Sequence, residues 1–295
     1  MKKKILSIML LATLILGTFA GCAGGGSGTD GEVAGWDAAN DISVISREDG
    51  SGTRGAFIEL FGIEEKDAAG NKTDRTTKDA TIAPKTNVML TNVAGDAYAM
   101  GYVSLGSLND QIKALKIDGV EATAENVKNG TYKIARPFNI ATKGEPTGLA
   151  KDFIDFIMSA DGQTVVTDSY IAIDDKAAPY AGDKPKGKIV IAGSSSVTPI
   201  MEKLAEAYKA MNGNAEIEVQ MTDSTAGMQA TMDGTCDIGM ASRELKDSET
   251  SSLTSMAIAL DGIGVIVNKE NIMTDMTSAQ VKAIFTGETT MWSEI

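Results

Sequence analysis

Short runs of β-branched and apolar residues alternate with helical stretches along most of this chain, and that alternation limits the fold more than any other feature. Asp41-Ile-Ser-Val-Ile-Ser46, Gly101-Tyr-Val-Ser-Leu105, Lys188-Ile-Val-Ile-Ala192 and Glu216-Ile-Glu-Val-Gln220 read as strands. Ile258 to Val267 is a longer apolar run of the same kind. Gly55–Phe61, Leu149–Met158 and Pro199–Ala210 read as helices, with Phe153, Ile154 and Ile157 forming the apolar stripe of the second. Strands that alternate with helices imply an α/β architecture. The 295 residues leave room for two domains or one large one. Tyr180–Gly187 is polar and rich in breakers, and reads as a surface connection.

Composition narrows the chemistry. The chain has no histidine, which excludes serine–histidine hydrolysis and histidine-ligated metal sites. Its two cysteines, Cys22 and Cys236, are too few for a disulfide framework or a thiolate metal site. With 27 Lys+Arg against 40 Asp+Glu the net charge is −13, which argues against nucleic acid as a partner. Lys2, Lys3 and Lys4 precede an apolar stretch, Ile5–Ala20, too short for a good membrane-crossing helix. Residues 1–21 therefore read as a signal peptide. Phe19-Ala20-Gly21-Cys22 before a glycine-rich run resembles a bacterial lipobox, with Phe19 where Leu or Val is usual. Cys22 is then the lipidation site, residues 22–39 the lipid-anchored tether, and Cys236 a buried lone thiol. A plain secreted protein with unmodified Cys22 is the alternative.

Three strand-to-helix junctions share one composition. They are Ser46-Arg-Glu-Asp-Gly-Ser-Gly-Thr53, Ala192-Gly-Ser-Ser-Ser-Val-Thr-Pro199 and Met221-Thr-Asp-Ser-Thr-Ala-Gly227. A helix N-terminus carries unpaired N–H groups and partial positive charge, which suits an anion. Glycine admits close approach, and Ser or Thr adds a hydroxyl donor. Simple N-capping explains any one loop alone. Three together, one with Arg47 four residues before Ser51, point to an anion cleft. Neither a Walker phosphate loop nor a serine nucleophile elbow occurs, so nucleotide hydrolysis is unsupported.

These segments, with Ala99-Met-Gly-Tyr-Val-Ser-Leu-Gly-Ser-Leu108 and Asp237-Ile-Gly-Met-Ala-Ser-Arg243, resemble the phosphate-binding lipoprotein of the bacterial phosphate ABC importer. The resemblance implies a two-lobed α/β periplasmic-binding-protein fold of type II, with the ligand cleft between the lobes. It implies that Arg47, Ser51, Gly52 and Thr53 hold phosphate from one lobe, and Ser195, Ser196 and Ser224 from the other. Ser242 stands where well-known members place an aspartate that accepts the phosphate proton. Asp49 is expected to orient Arg47. Arg243 is a second candidate cation or a member of an ion pair. Asp261, which interrupts an apolar run, is a candidate acceptor or a structural carboxylate at the hinge.

In the usual family order the Ala192–Pro199 segment precedes the Ser46–Thr53 segment; here the two are swapped. The chain therefore resembles a circular permutant, with a fragment of a longer, duplicated chain as the rival account. The permutant reading places a split lobe at residues 40–100 plus 268–295 and a contiguous lobe at 101–267. Its crossovers are expected at Gly101–Gly106 and Leu260–Val267, and a strand near residue 42 is expected to pair with 264–268. The implied role is a monomeric receptor on the outer face of the cell membrane. It captures inorganic phosphate and delivers it to ABC permease subunits, without cofactor, metal or bond chemistry. Sulfate, molybdate or another oxyanion, or a phosphate sensor without a permease, are the alternatives. A phosphatase is disfavoured, because no activated nucleophile or metal-ligand cluster is apparent.

Overall fold

The computed structural model describes residues 35–295; the expected signal peptide, Cys22 and most of the tether lie outside the described residues. The first part of the chain supplies β1 (Ser43–Arg47), α1 (Gly52–Leu60), β2 (Glu64–Lys66), β3 (Lys72–Asp74), β4 (Thr81–Ala83), α2 (Thr86–Gly95), β5 (Ala99–Ser104), β6 (Ile112–Ala114) and β7 (Lys116–Ile117). Then come α3 (Ala124–Lys128), β8 (Ala135–Thr142), α4 (Gly148–Met158) and α5 (Ala160–Thr167). The last part supplies β9 (Gly187–Ser194), α6 (Thr198–Met211), β10 (Ala215–Thr222), α7 (Ser224–Asp233), β11 (Ile238–Ala241), α8 (Asp247–Thr250), β12 (Thr254–Asn268), β13 (Asp275–Met276) and α9 (Ser278–Thr286).

Hydrogen bonding runs β10-β9-β11-β8-β12-β5-β1-β4, with β6 also on β12. The 15-residue β12 serves two neighbours in turn. Thr254–Gly262 pairs antiparallel with β8, and Ile263–Val267 pairs antiparallel with β5. The strand thus passes from one lobe to the other between Gly262 and Ile263. In the contiguous lobe, Phe138, Phe153, Phe156, Ile191, Leu204 and Tyr208 form the main core, and Met228 of α7 covers the other sheet face with Ala141 and Ala241. In the split lobe, Phe57, Tyr102, Val265, Phe285 and Trp292 share one core, and Met89 and Val93 of α2 pack on the other face against Ile45, Val103 and Ile266. Burial on both faces explains why Ala99–Ser104 is buried at every position, as internal strands require. The edge strand β10 instead alternates, with Glu216 and Glu218 outward on Lys188.

Three expectations need correction. Residues 101–134 do not belong with the contiguous lobe: Leu115, Ile117, Val127, Tyr132 and Ile134 pack in the Phe57 core of the split lobe. The reason is long-range pairing, since β5 lies on β1 and β6 on the last residues of β12. Gly101–Gly106 is thus no crossover; the second passage between lobes is at the start of β8. Also, β1 does not pair with 264–268, because β5 is hydrogen-bonded between them.

Candidate functional site

The first junction turns tightly from β1 into α1. Gly50 has φ +86°, a left-handed conformation, and a Cβ there would lie 2.6 Å from Asp223 Oδ1 of the other lobe. Ser51 caps α1 by accepting from the Arg54 amide at 3.3 Å. Arg47, 2% exposed, points into the space between the lobes. Its guanidinium donates twice to Glu48, at 2.8 Å each, and to the Ala83 carbonyl at 3.2 Å. It also donates to Thr86 Oγ1 at 3.2 Å and, across the cleft, to Ser195 Oγ at 2.9 Å. Its backbone is fixed as well: Tyr102 Oη accepts from the Arg47 amide at 3.0 Å, and Arg54 donates to its carbonyl at 2.7 Å. Tyr102 stacks on Phe57 of α1 with 3.9 Å between ring centroids, and burial pushes its phenol pKa up. Asp49 does not orient Arg47. Its side chain is fully exposed and pairs with Arg54 at 3.0 Å, because the turn directs it outward; Glu48 holds the guanidinium instead.

The second and third junctions come from the contiguous lobe. Ser194 accepts from the Ser196 amide at 3.2 Å, while Val197 at the cap position of α6 makes no side-chain cap. Ser195 and Ser196 are therefore spared for the cleft, where Ser196 Oγ meets Thr53 Oγ1 at 2.8 Å. Asp223 caps α7, which likewise frees Ser224; its Oγ accepts from the Ser242 amide at 3.1 Å. A Cβ on Gly52 would lie 2.4 Å from Ser224 Oγ and 2.7 Å from Ser242 Oγ, so only glycine permits this approach of α1 to the opposite wall. Ser242, wholly buried, bonds Ser194 at 2.9 Å and Thr53 at 3.3 Å. Capping thus explains Ser51 but not Ser195, Ser196 or Ser224. Sequence reasoning missed Thr86 at the start of α2, whose Oγ1 lies 3.2 Å from Ser195 and 3.3 Å from Ser196. Its strand-to-helix position was the available signal, but the junction lacks glycine. The N-termini of α1, α2, α6 and α7 together face one cluster of hydroxyls.

Arg136, at the start of β8, was also missed. It is 3% exposed and reaches three elements. It donates to the Ser242 carbonyl at 2.5 Å, to Asp261 Oδ2 at 2.5 Å and to Thr53 Oγ1 at 2.9 Å. Its guanidinium carbon lies 5.1 Å from the Phe138 ring centroid. Asp261 is its register partner across β8 and β12, so two charges that interrupt apolar strands face each other at the hinge. Burial pushes the Asp261 carboxyl up to about 6, only partly offset by Arg136. Asp261 makes no hydrogen bond to any hydroxyl of the cleft among the described residues, which fits the hinge-carboxylate alternative. Arg243 is in an ion pair, donating twice to Glu249 at 2.8 Å each. Despite burial, that partner keeps the Glu249 carboxyl below its ordinary pKa. Cys236 is buried against Thr231, and burial pushes its thiol up.

The lobes therefore meet over buried donors and two paired guanidiniums, an arrangement suited to gripping a small anion. No group of three or more acidic or cysteine side chains that could hold a metal occurs among the described residues. The PBP superfamily domain matches residues 29–161 and 178–294, and the chain belongs to that superfamily of binding proteins. The phosphate-binding protein PstS 2 of Streptococcus agalactiae serotype V is 50% identical over 298 aligned positions, which span all of this chain and 99% of that protein. The crystal structure of a phosphate-binding protein of a phosphate ABC transporter from Streptococcus pneumoniae TIGR4 is 47% identical. It covers 87% of this chain and 100% of its own, with a TM-score of 0.70. PstS of Bacillus subtilis is 37% identical over 139 residues, 45% of this chain and 42% of that protein. Within the superfamily, the chain is a member of the family that these PstS proteins form.

Proposed function

We propose that this chain captures inorganic phosphate between its lobes outside the cytoplasmic membrane and delivers it to the permease subunits of an ABC importer. Arg47, Ser51, Gly52 and Thr53 bind from the split lobe, and Ser195, Ser196, Ser224 and Ser242 from the contiguous lobe. The observation that carries this reading is the pair of cross-lobe contacts, Arg47 to Ser195 and Thr53 to Ser196. These hydroxyls can turn their protons from each other to an oxyanion. Two hydroxyls that donate to one oxygen at about 2.7 Å each stand about 4.4 Å apart, so the lobes open slightly from the 2.8 Å Thr53–Ser196 contact to take the ligand. Capture and release involve no bond chemistry, and the chain is not an enzyme. Cys22 anchors it by lipid to the outer face of the membrane. No helix among the described residues is long and apolar enough to cross one.

A circular permutation accounts for the order of the segments. Its support is the contact between distant parts of the chain: the Ile42 amide donates to the Thr290 carbonyl at 2.7 Å and the Trp292 amide to the Asn40 carbonyl at 3.2 Å. Trp36 and Trp292 pack edge to face at 5.5 Å. A simple join from 295 to 40 would thus restore the usual order.

Calorimetric titration with phosphate, sulfate and molybdate tests the reading. Phosphate is expected to bind most tightly; a preference for sulfate or molybdate replaces it with the other-oxyanion reading. Ser242 makes this second reading specific. Phosphate carries a proton at neutral pH and sulfate does not, and a hydroxyl rejects sulfate less strongly than a carboxylate does.

A further inference from the structure

Two buried guanidiniums stand at opposite ends of one row of hydroxyls. Arg136 donates to Thr53 at 2.9 Å, Thr53 meets Ser196 at 2.8 Å, Ser196 meets Thr86 at 3.3 Å, and Arg47 donates to Thr86 at 3.2 Å. An anion that takes over the protons of Thr53 and Ser196 lies between the two cations. The cations differ in how they are neutralised. Arg47 has both oxygens of Glu48, which is partly exposed, whereas Arg136 has one oxygen of Asp261, which is wholly buried. The second oxygen of Asp261, Oδ1, has no hydrogen-bond partner among the described residues, and neither do the Ser104 and Tyr170 hydroxyls. A buried carboxylate with one oxygen unsatisfied is costly to keep charged.

We propose that Arg136 is the second cation of the phosphate site, shared between Asp261 and the ligand, and that Asp261 takes up a proton as bound phosphate draws Arg136 away. This inference rests on the phosphate reading above. Among the described residues, Arg136 of β8 is the sole cation paired with Asp261. Tyr132, just before β8, and Tyr170, after α5, face it as neutral phenols whose pKa values burial pushes up. Ser104 at the end of β5 and the Leu105 amide after it lie close enough to favour the charged form, but neither reaches hydrogen-bond geometry. A carboxyl already raised to about 6 crosses neutrality when its one counter-charge is diverted. The sign follows: the liganded state holds the proton more tightly, so capture near pH 7 draws a proton from solvent.

The experiment is calorimetry with inorganic phosphate at neutral pH in two buffers of different ionisation enthalpy, which reads affinity and proton uptake together. Asp261→Asn keeps the shape of the site, leaves Arg136 its bonds to the Ser242 carbonyl and Thr53, and cannot take up the proton. It should bind phosphate at least as tightly as the native chain, with measurably lower proton uptake. Phosphate's own ionisation contributes equally to both proteins and cancels. Arg136→Gln alone leaves Asp261 buried without a counter-charge and can unfold the chain, so the double variant Arg136→Gln/Asp261→Asn is the test of the cation. It should lose affinity by about tenfold or more. Affinity within twofold of native in the double variant, or equal proton uptake in native and Asp261→Asn chains, overturns this inference while the phosphate reading stands. A native chain that binds no phosphate removes both.

Discussion

The two walls of the cleft are built from different chemistry. The split lobe contributes a buried cation, Arg47, with Glu48 against it and Tyr102 and Arg54 fixing its backbone. The contiguous lobe answers with neutral groups: Ser194, Ser195 and Ser196 ahead of α6, Ser224 at the start of α7, and Ser242 just after β11. Its Arg136 reaches them from the hinge, where it is paired with Asp261 and donates to the Ser242 carbonyl and to Thr53. The contrast separates two tasks. On the proposed function, the charge held by a rigid frame would attract the anion, while the hydroxyls would measure whether a tetrahedral ligand fits once the lobes close. Because charge-assisted contacts are roughly twice as strong as neutral ones, the walls should respond unequally to mutation.

Arg47→Ala gives the largest expected effect. Phosphate affinity should fall by about 2–5 kcal/mol, with a much smaller change in thermal stability. Calorimetry with a melting curve checks it, and unchanged affinity would move the charge of the site elsewhere. Gly52→Ala comes next. Its methyl would strike Ser224 and Ser242 of the opposite wall, so closure should weaken by about 1–3 kcal/mol. That loss should appear in ligand affinity and spare each lobe's core; small-angle scattering with and without phosphate reads the failure to close.

Acid titration sharpens the hinge side of the comparison. The folded-state pKa of Asp261 lies above its ordinary value, so the native fold binds that proton more tightly than the unfolded chain does. Stability of the native chain relative to Asp261→Asn should therefore rise as pH falls from about 7 to about 5. Denaturant unfolding at several pH values measures the difference, and parallel profiles would mean that Asp261 does not titrate there. Ser195→Ala and Ser196→Ala should each cost about 1 kcal/mol in phosphate affinity, less than Arg47→Ala. A larger loss from either serine than from Arg47 would invert the assignment of tasks to the walls. Asp49→Ala should alter binding and stability by less than about 0.5 kcal/mol, because its pair with Arg54 is exposed.

The site was legible where local chemistry reveals itself. Ser51, Gly52, Thr53, Ser195, Ser196 and Ser224 lie at strand-to-helix junctions whose glycines and hydroxyls stand out in the sequence; Gly52, Thr53, Ser195, Ser196 and Ser224 meet across the cleft, whereas Ser51 caps its own helix. Glu48, Thr86 and Arg136 were not legible in the same way. Glu48 and Asp49 are adjacent acids, and only the turn decides that one faces Arg47 and the other faces solvent. Arg136 did leave a trace: a charge two residues ahead of Phe138 in a strand that is otherwise mostly buried, as Asp261 is inside another. Two interruptions of opposite sign in buried strands call for each other.

The α/β alternation, the loops that open the site helices and the residue types able to hold an anion were all legible in local sequence. These depend on periodicity and backbone preference within a few residues. Where the lobes divide was settled by long-range packing, because β5 and β6 join the split lobe through pairing with β1 and β12, far away in the chain. That packing alone set Arg136 opposite Asp261, since a register between strands 125 residues apart is fixed by the packing of two whole sheets rather than by any local signal.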